Sequence, residues 1–344
     1  MKVLALTNMY PTESAPSFGV FVRGTLDAIR RAAPEIAIDL LFVNGRANKA
    51  AYLAAPARIL ARSFGGYDLI HTHYGLLAGA GALFAGPRII TFYGSDVEMP
   101  SQYRWAQPFV PRYDGVVVMN ARMRERVGRA DAVILPPGID LTHFAPRDRG
   151  EARHRLGLDP AARYILFPAS PERRVKRYDL FREVVARVAR AARERAGVGN
   201  RISNGDRAVD GGRIEPLVLA APAREDAEIP WLYAAADVML LTSDSEGSPT
   251  VVKEALAMNL PVVSVDVGDV RELVGASRPA QVVGSRDPEA LATAVLSVLD
   301  AGGRSDGRAH AQRLSIDATA AGYVDLYRRV VAARQRGTRR TIST

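Results

Sequence analysis

Short apolar runs of strand length alternate with stretches of helical periodicity along almost all of this 344-residue chain, and the pattern occurs twice. In the first half, residues 2–7, 36–43, a run beginning at Leu69 and Ile70, 88–92, 116–119 and 132–135 read as strands. Helices are expected over 20–33, 50–62, 76–84 and 121–129. The second half repeats this, with strands at 164–168, 217–220, 237–241, 261–265 and 281–283, and helices over 177–196, 229–235, 288–299 and 317–334. Strands joined by crossover helices at this spacing form parallel, doubly wound sheets covered on both faces, so the fold class is α/β. The chain is long enough for two cores. Such sheets bind ligands outside the carboxyl ends of their strands, and the loops after strands are where chemistry is to be sought.

The most informative loop is EGSPTVVKEAL, from Glu246 to Leu256. It follows the apolar run 237–241, and the polar, turn-rich 242–248 leads into a helix start. Ser248 is expected at the N-cap and Pro249 at the first helical position, with Asn259 and Pro261 ending the element. Free N–H groups and the helix dipole at such a start favour a phosphate. Glu246 and Glu254 are eight positions apart, roughly 12 Å along a helix and turned by about 80°, which suits the two ends of an extended ligand better than a paired acid and base.

Two glutamates with seven residues between them resemble the signature of retaining glycosyltransferases of the family-4 type, which have the GT-B fold. That fold consists of two Rossmann-like domains facing across a cleft. The resemblance implies that Glu246 contacts the donor sugar and Glu254 the ribose hydroxyls. The backbone amides between them, from Gly247 through Ser248, Pro249, Thr250 and Val251, are the implied diphosphate cradle. Other loops resemble the family in the same order along the chain. In NMYPTESAPSFG, Gly19 is the candidate for close backbone approach to the donor, with Phe18 on the acceptor side; a plain left-handed turn explains this glycine equally well. HTHYG places His71 and His73 on one face of an extended segment. Without a third ligand they make an incomplete metal site, and His73 is either an acceptor-side residue or a structural histidine. In TFYGSDV the family's histidine is replaced by Tyr93, which can donate an O–H but cannot carry positive charge. Asp96 orients the acceptor hydroxyl or caps the next segment. In SPERRVK, Lys176 and Arg173 match the cations that the family sets against the leaving diphosphate. VDVGDVR, from Val265 to Arg271, resembles a glycine turn supporting the nucleotide, and PPGID, from Pro136 to Asp140, a hinge segment.

The domains expected from this are 1–150, binding acceptor, 151–315, binding the nucleotide sugar, and a helix over 316–336 crossing back to the first. The stretch 197–215 reads as an excursion without assigned chemistry, and the last residues as a basic, disordered tail. The implied reaction moves a sugar from a nucleoside-diphosphate donor to an acceptor hydroxyl. The pattern is closest to bacterial enzymes of teichuronic-acid or capsule type, with a sugar, lipid-linked or small-molecule acceptor. No cofactor and no metal are expected. Alternatives are a nucleotide-sugar-modifying or hydrolysing enzyme and a non-catalytic nucleotide- or RNA-binding protein.

Composition narrows the partners. Lys and Arg exceed Asp and Glu by 46 to 37, a net +9, compatible with anionic membranes, phosphorylated substrates or nucleic acid. No basic motif interleaved with aromatics is present for stacking bases, so nucleic acid is not expected. The chain has no cysteine, and no apolar run approaches the ~18 residues of a membrane span. A cytoplasmic location is expected, with peripheral contact at the inner membrane face as a possibility the charge leaves open.

Overall fold

The computed structural model describes residues 1–202, 213–219, 228–275 and 277–342. Contacts divide it into two compact units, one of residues 1–138 with 314–344 and the other of residues 139–313.

The first unit is a six-stranded parallel sheet in the order β2-β1-β3-β4-β5-β6. Its strands are β1 (Lys2–Thr7), β2 (Ala37–Phe42), β3 (Leu69–His73), β4 (Arg88–Thr91), β5 (Gly115–Val118) and β6 (Val133–Ile134). Every residue of β3 and β5 is buried, as strands covered on both faces must be. On one face Val3, Ala5, Ile89 and Val117 meet the helix Val20–Ala32 and the C-terminal helix Ile316–Ile342, which contributes Tyr323 and Tyr327. On the other face Leu4, Leu6 and Ile70 meet Ala55 and Ile59 of the helix Ala50–Arg62.

The second unit is a five-stranded parallel sheet in the order β11-β10-β9-β7-β8. It comprises β7 (Arg163–Phe167), β8 (Ile214–Val218), β9 (Val238–Leu241), β10 (Val262–Val265) and β11 (Ala280–Val283). Its core includes Ile165, Phe167, Phe181, Val184, Leu240 and Val263, all almost wholly buried.

Several boundaries differ from the sequence reading. The expected helix 76–84 is a 3-10 turn, Gly75–Leu77, followed by the short helix Ala78–Gly81. Its glycines lower helix propensity, and a Cβ at Gly81 would lie 2.1 Å from the Thr72 hydroxyl. Of the 197–215 excursion, residues 197–202 continue the helix Tyr178–Ile202, which no proline interrupts. Residues 213–215 lead into and begin β8, and the remainder lies outside the described residues. The tail is not irregular through most of its length, because the final helix runs to Ile342. Its Arg and Gln residues are strong helix formers. No helix among the described residues is long and apolar enough to cross a membrane.

Candidate active site

The carboxyl ends of β7 and β9 are fastened to each other. The Thr242 hydroxyl donates to the backbone carbonyls of Lys176 and Arg177 at 2.9 and 3.1 Å, and the Asp244 N–H donates to Val175 at 2.8 Å. Arg177 takes the left-handed conformation, φ 54°, and its guanidinium reaches both Asp179 and Asp244. A bulky residue with positive φ is strained, and such strain persists only where the surroundings enforce it. The result places the Lys176 ammonium 2.5 Å from Glu246 Oε1, with both side chains about nine-tenths buried. An ion pair so far removed from water depends on good geometry to offset desolvation. Arg173 begins the same turn but is exposed.

The expected cap is off by one position. The helix is Thr250–Ala257 with Pro249 at the N-cap, and no side chain caps it. Ser248 is buried and does not cap the helix; its hydroxyl faces the Asp269 carboxyl. Asn259 does end the element, in the left-handed conformation at φ 54°. Gly268 packs against the turn from outside the helix. A Cβ there would lie 2.8 Å from the Gly247 carbonyl and 2.9 Å from that of Glu246, and its φ is +59°. Only glycine lets the loop after β10 approach so closely.

Glu254 accepts a 2.6 Å hydrogen bond from the Tyr233 hydroxyl. Burial pushes its carboxyl up to about 7, opposed by Tyr233 and by the Lys176 and Lys253 charges. The wholly buried Lys253 is lowered by burial to about 8, and Asp269 raised by burial to about 6, each opposed by the other's charge. A glutamate, a lysine and an aspartate that all titrate near neutrality thus surround one helix start. Clusters of this kind concentrate at functional sites.

In the first unit the predicted residues lie at the carboxyl ends of β1, β3 and β4. Gly19 is left-handed, φ 77°, and a Cβ would lie 2.4 Å from the Met9 carbonyl carbon, so the backbone requires this glycine. Phe18 lies beneath the Arg46 guanidinium, 4.8 Å from it. The two histidine rings lie against each other, tilted by 34°, with centroids 3.8 Å apart. His71 is spent on Tyr327 and Thr91, at 2.6 and 2.8 Å. His73 shares its Nδ1 with the Tyr93 hydroxyl at 2.7 Å, while its buried Nε2 has no partner. Burial lowers His73 to about 3, so the imidazole is neutral at ordinary pH. Asp96 is buried and accepts the N–H groups of Tyr93, Gly94 and Gly75 at 2.9, 2.9 and 3.0 Å. It therefore braces the loop after β4 against the loop after β3. Among the described residues no group of three His, Asp or Glu side chains could hold a metal ion.

Lys176, Glu246 and Glu254 thus meet around one helix start, and His73 meets Tyr93 in the other unit. Sequence reasoning missed Tyr233 and Lys253. Tyr233 lies in an apolar helix with no polar pattern to mark it, whereas Lys253, beside Glu254 on a helix buried at neighbouring positions, was legible as a buried charge.

Two family models match, "Glycosyltransferase Family 4" over residues 17–143 and "Glycosyl transferases group 1" over residues 162–301. The D-inositol 3-phosphate glycosyltransferase of Kineococcus radiotolerans is 30% identical over 319 residues, covering 78% of this chain and 73% of that protein. The chain belongs to glycosyltransferase family 4. Another relative, the D-inositol 3-phosphate glycosyltransferase of Mycolicibacterium gilvum, is 30% identical across 75% of this chain, and the alignment spans 66% of its length. A Bacillus subtilis protein whose name places it in teichuronic acid biosynthesis is 28% identical across 66% of this chain and 60% of its own. Among solved structures, a sucrose-phosphate synthase of Thermosynechococcus elongatus superposes with TM-score 0.72 at 19% identity, covering 97% of this chain and all of that one. The Anabaena protein HepE, in complex with UDP and glucose, superposes with TM-score 0.66 at 17% identity, covering 95% and 99%. These likenesses establish the GT-B fold for this family-4 chain.

Proposed function

We propose that this protein transfers a sugar from a nucleoside diphosphate to an acceptor hydroxyl with retention at the anomeric carbon. The observation that carries the reading is the buried Lys176–Glu246 pair, set beside the start of the helix Thr250–Ala257. An ammonium has three donors, and Glu246 takes one, leaving two for a diphosphate. Lys176, the exposed Arg173 and the free amides of Thr250 and Val251 stabilise the charge that develops as the bond from the anomeric carbon to the diphosphate oxygen breaks. The acceptor oxygen bonds to that carbon on the face the diphosphate leaves, and its proton passes to the departing phosphate oxygen. Glu246 holds the donor sugar and Glu254 the ribose hydroxyls, the roles the family resemblance implies. The same resemblance assigns Gly19 to donor approach, sets Tyr93 near the donor sugar and phosphate and Asp96 to orient the acceptor hydroxyl, and puts Phe18 and His73 on the acceptor side.

UDP is the nucleotide to try first, because HepE has been solved with UDP and with UDP-glucose. The acceptor belongs to cell-surface polysaccharide or glycolipid synthesis in this reading, and the +9 charge supports peripheral contact with an anionic inner membrane face. Thermal stabilisation by a panel of nucleotide sugars, with and without EDTA, tests it. Donor-specific stabilisation and slow metal-independent release of UDP are expected. Binding to RNA that salt abolishes, with no response to any nucleotide sugar, would refute it.

A further inference from the structure

Two side chains that suit helix caps are both turned away from them. Ser248 precedes Pro249 and leaves the helix Thr250–Ala257 without a side-chain cap, and Asp269 occupies the N-cap of the helix Val270–Val274 without accepting any of its N–H groups. An aspartate at that position ordinarily satisfies one of them, and forgoing the bond costs stability. Both residues are buried instead, Asp269 at 7% exposure, with the Ser248 hydroxyl facing the Asp269 carboxyl. Lys253, one residue before Glu254, is wholly buried; burial works against its charge, and Asp269 and then Glu254 work for it. Asp269 is favoured as a carboxylate by Lys253 in return and opposed, more weakly, by Glu272 of its own helix. A lysine is almost never buried completely unless paired, because an isolated ammonium is costly to remove from water. Neither Lys253 nor Asp269 is used in the transfer step.

What they share is the turn 246–249 and the helix start that follows it. Gly268, next to Asp269, lies so close to the turn that a Cβ would meet the carbonyls of Gly247 and Glu246 at 2.8 and 2.9 Å. Ser248 belongs to the turn itself, and Lys253 is the fourth residue of the helix. The Asp269 carboxylate thus faces Ser248 and acts on the charge of Lys253, and the Thr250 and Val251 amides lie between those two residues in the chain. Hydrogen bonds to a charged group are roughly twice as strong as neutral ones, so a carboxylate placed here restrains the stretch before any ligand arrives. We propose that Asp269 and Lys253 are positioning residues that hold the turn 246–249 and the Thr250 and Val251 amides in the geometry that receives a diphosphate. This rests on the diphosphate reading of that helix start and adds to it two residues that do not touch the ligand.

The test is a double-mutant cycle on the full chain, with Asp269→Asn, Lys253→Met and both together, read by melting temperature and by calorimetric titration of UDP, GDP and ADP. Asparagine keeps the shape and an acceptor for Ser248, and methionine keeps most of the lysine stem. Each single variant leaves one buried charge without its counter-charge, so its melting temperature falls by about 5 °C or more. The double variant leaves none, and its melting temperature returns to within about 2 °C of wild type. Its affinity for the diphosphate that wild type binds stays about tenfold lower, because the charged group is gone from behind the turn. A pair with a structural role alone would not separate the two readouts. A double variant that regains both stability and affinity therefore overturns the proposal, as does a double variant less stable than either single one, since the two charges would then not be partners. If a single variant does not fold, the double variant decides. Wild type that binds none of the three nucleotides overturns the diphosphate reading and this proposal together, whereas binding by wild type with full recovery in the double variant overturns this proposal alone.

Discussion

Removing the Tyr233 hydroxyl is the sharpest way to test whether Glu254 works as a carboxylate. In the structure that hydroxyl donates at 2.6 Å to a carboxyl whose burial already holds it near 7 against an ordinary 4.5. A hydrogen bond to an ionised group contributes about 1.5–3 kcal/mol, and one pKa unit corresponds to about 1.4 kcal/mol. Tyr233→Phe therefore raises the Glu254 carboxyl by roughly one to two units, and the ionised fraction at neutral pH drops from about half to about a tenth or less. If ionised Glu254 receives the ribose hydroxyls, UDP affinity at neutral pH falls about fivefold or more and recovers as the medium becomes alkaline. Calorimetric titration of UDP across a pH series, on wild type and variant, reads the midpoint directly. A variant whose affinity rises through the same midpoint as wild type refutes the reasoning, whatever its absolute affinity. The sign also applies to folding. A carboxyl raised in the fold binds its proton more tightly there than in the unfolded chain, so its contribution to stability falls as pH rises from about 4.5 to about 7.

Lys176→Ala should lower kcat by about a hundredfold or more, measured as release of UDP, because it removes a fixed positive charge aimed at the leaving group. Gly268→Ala should lower the melting temperature and donor affinity together, since its Cβ meets the Gly247 carbonyl and its φ costs roughly 1–3 kcal/mol. Gly302→Ala is the control, with positive φ but open space around its Cβ, and it should leave donor affinity unchanged. Turnover should be the same with and without EDTA, and a loss that magnesium restores would contradict the assignment of charge neutralisation to Lys176 and Arg173.

The alternation of strands and helices, and with it the parallel sheets, was within reach of the sequence because strands such as β5 and β9 are apolar runs between turn signals. Ser248 and Pro249 likewise located the helix start to within one residue. The error at Ser248 has a local cause, for a serine before proline satisfies every capping rule that a sequence can express. In the fold Ser248 is buried instead, in a turn against which Gly268 packs from twenty-one positions beyond Gly247. Tyr233 escaped for a related reason. Its ring belongs to the buried face of its helix, and only the fold brings its hydroxyl to Glu254. His71 and His73 show the converse, since alternation alone put them on one face, but their partners Tyr327, Thr91 and Tyr93 come from the C-terminal helix, β4 and the loop after β4.

The first unit draws on both termini of the chain, and this decides which pieces can be made separately. A fragment stopped at Gly138 would leave His71 without Tyr327, Thr91 without Tyr323 and part of one side of its sheet uncovered, so it should aggregate when expressed. Residues 139–313 are one unbroken segment with their own sheet, and that piece alone should fold and retain UDP. Evolution by gene fusion or domain exchange faces the same asymmetry: the half holding Lys176 and Glu254 can be exchanged as a cassette, whereas its companion must be rebuilt around whatever is inserted.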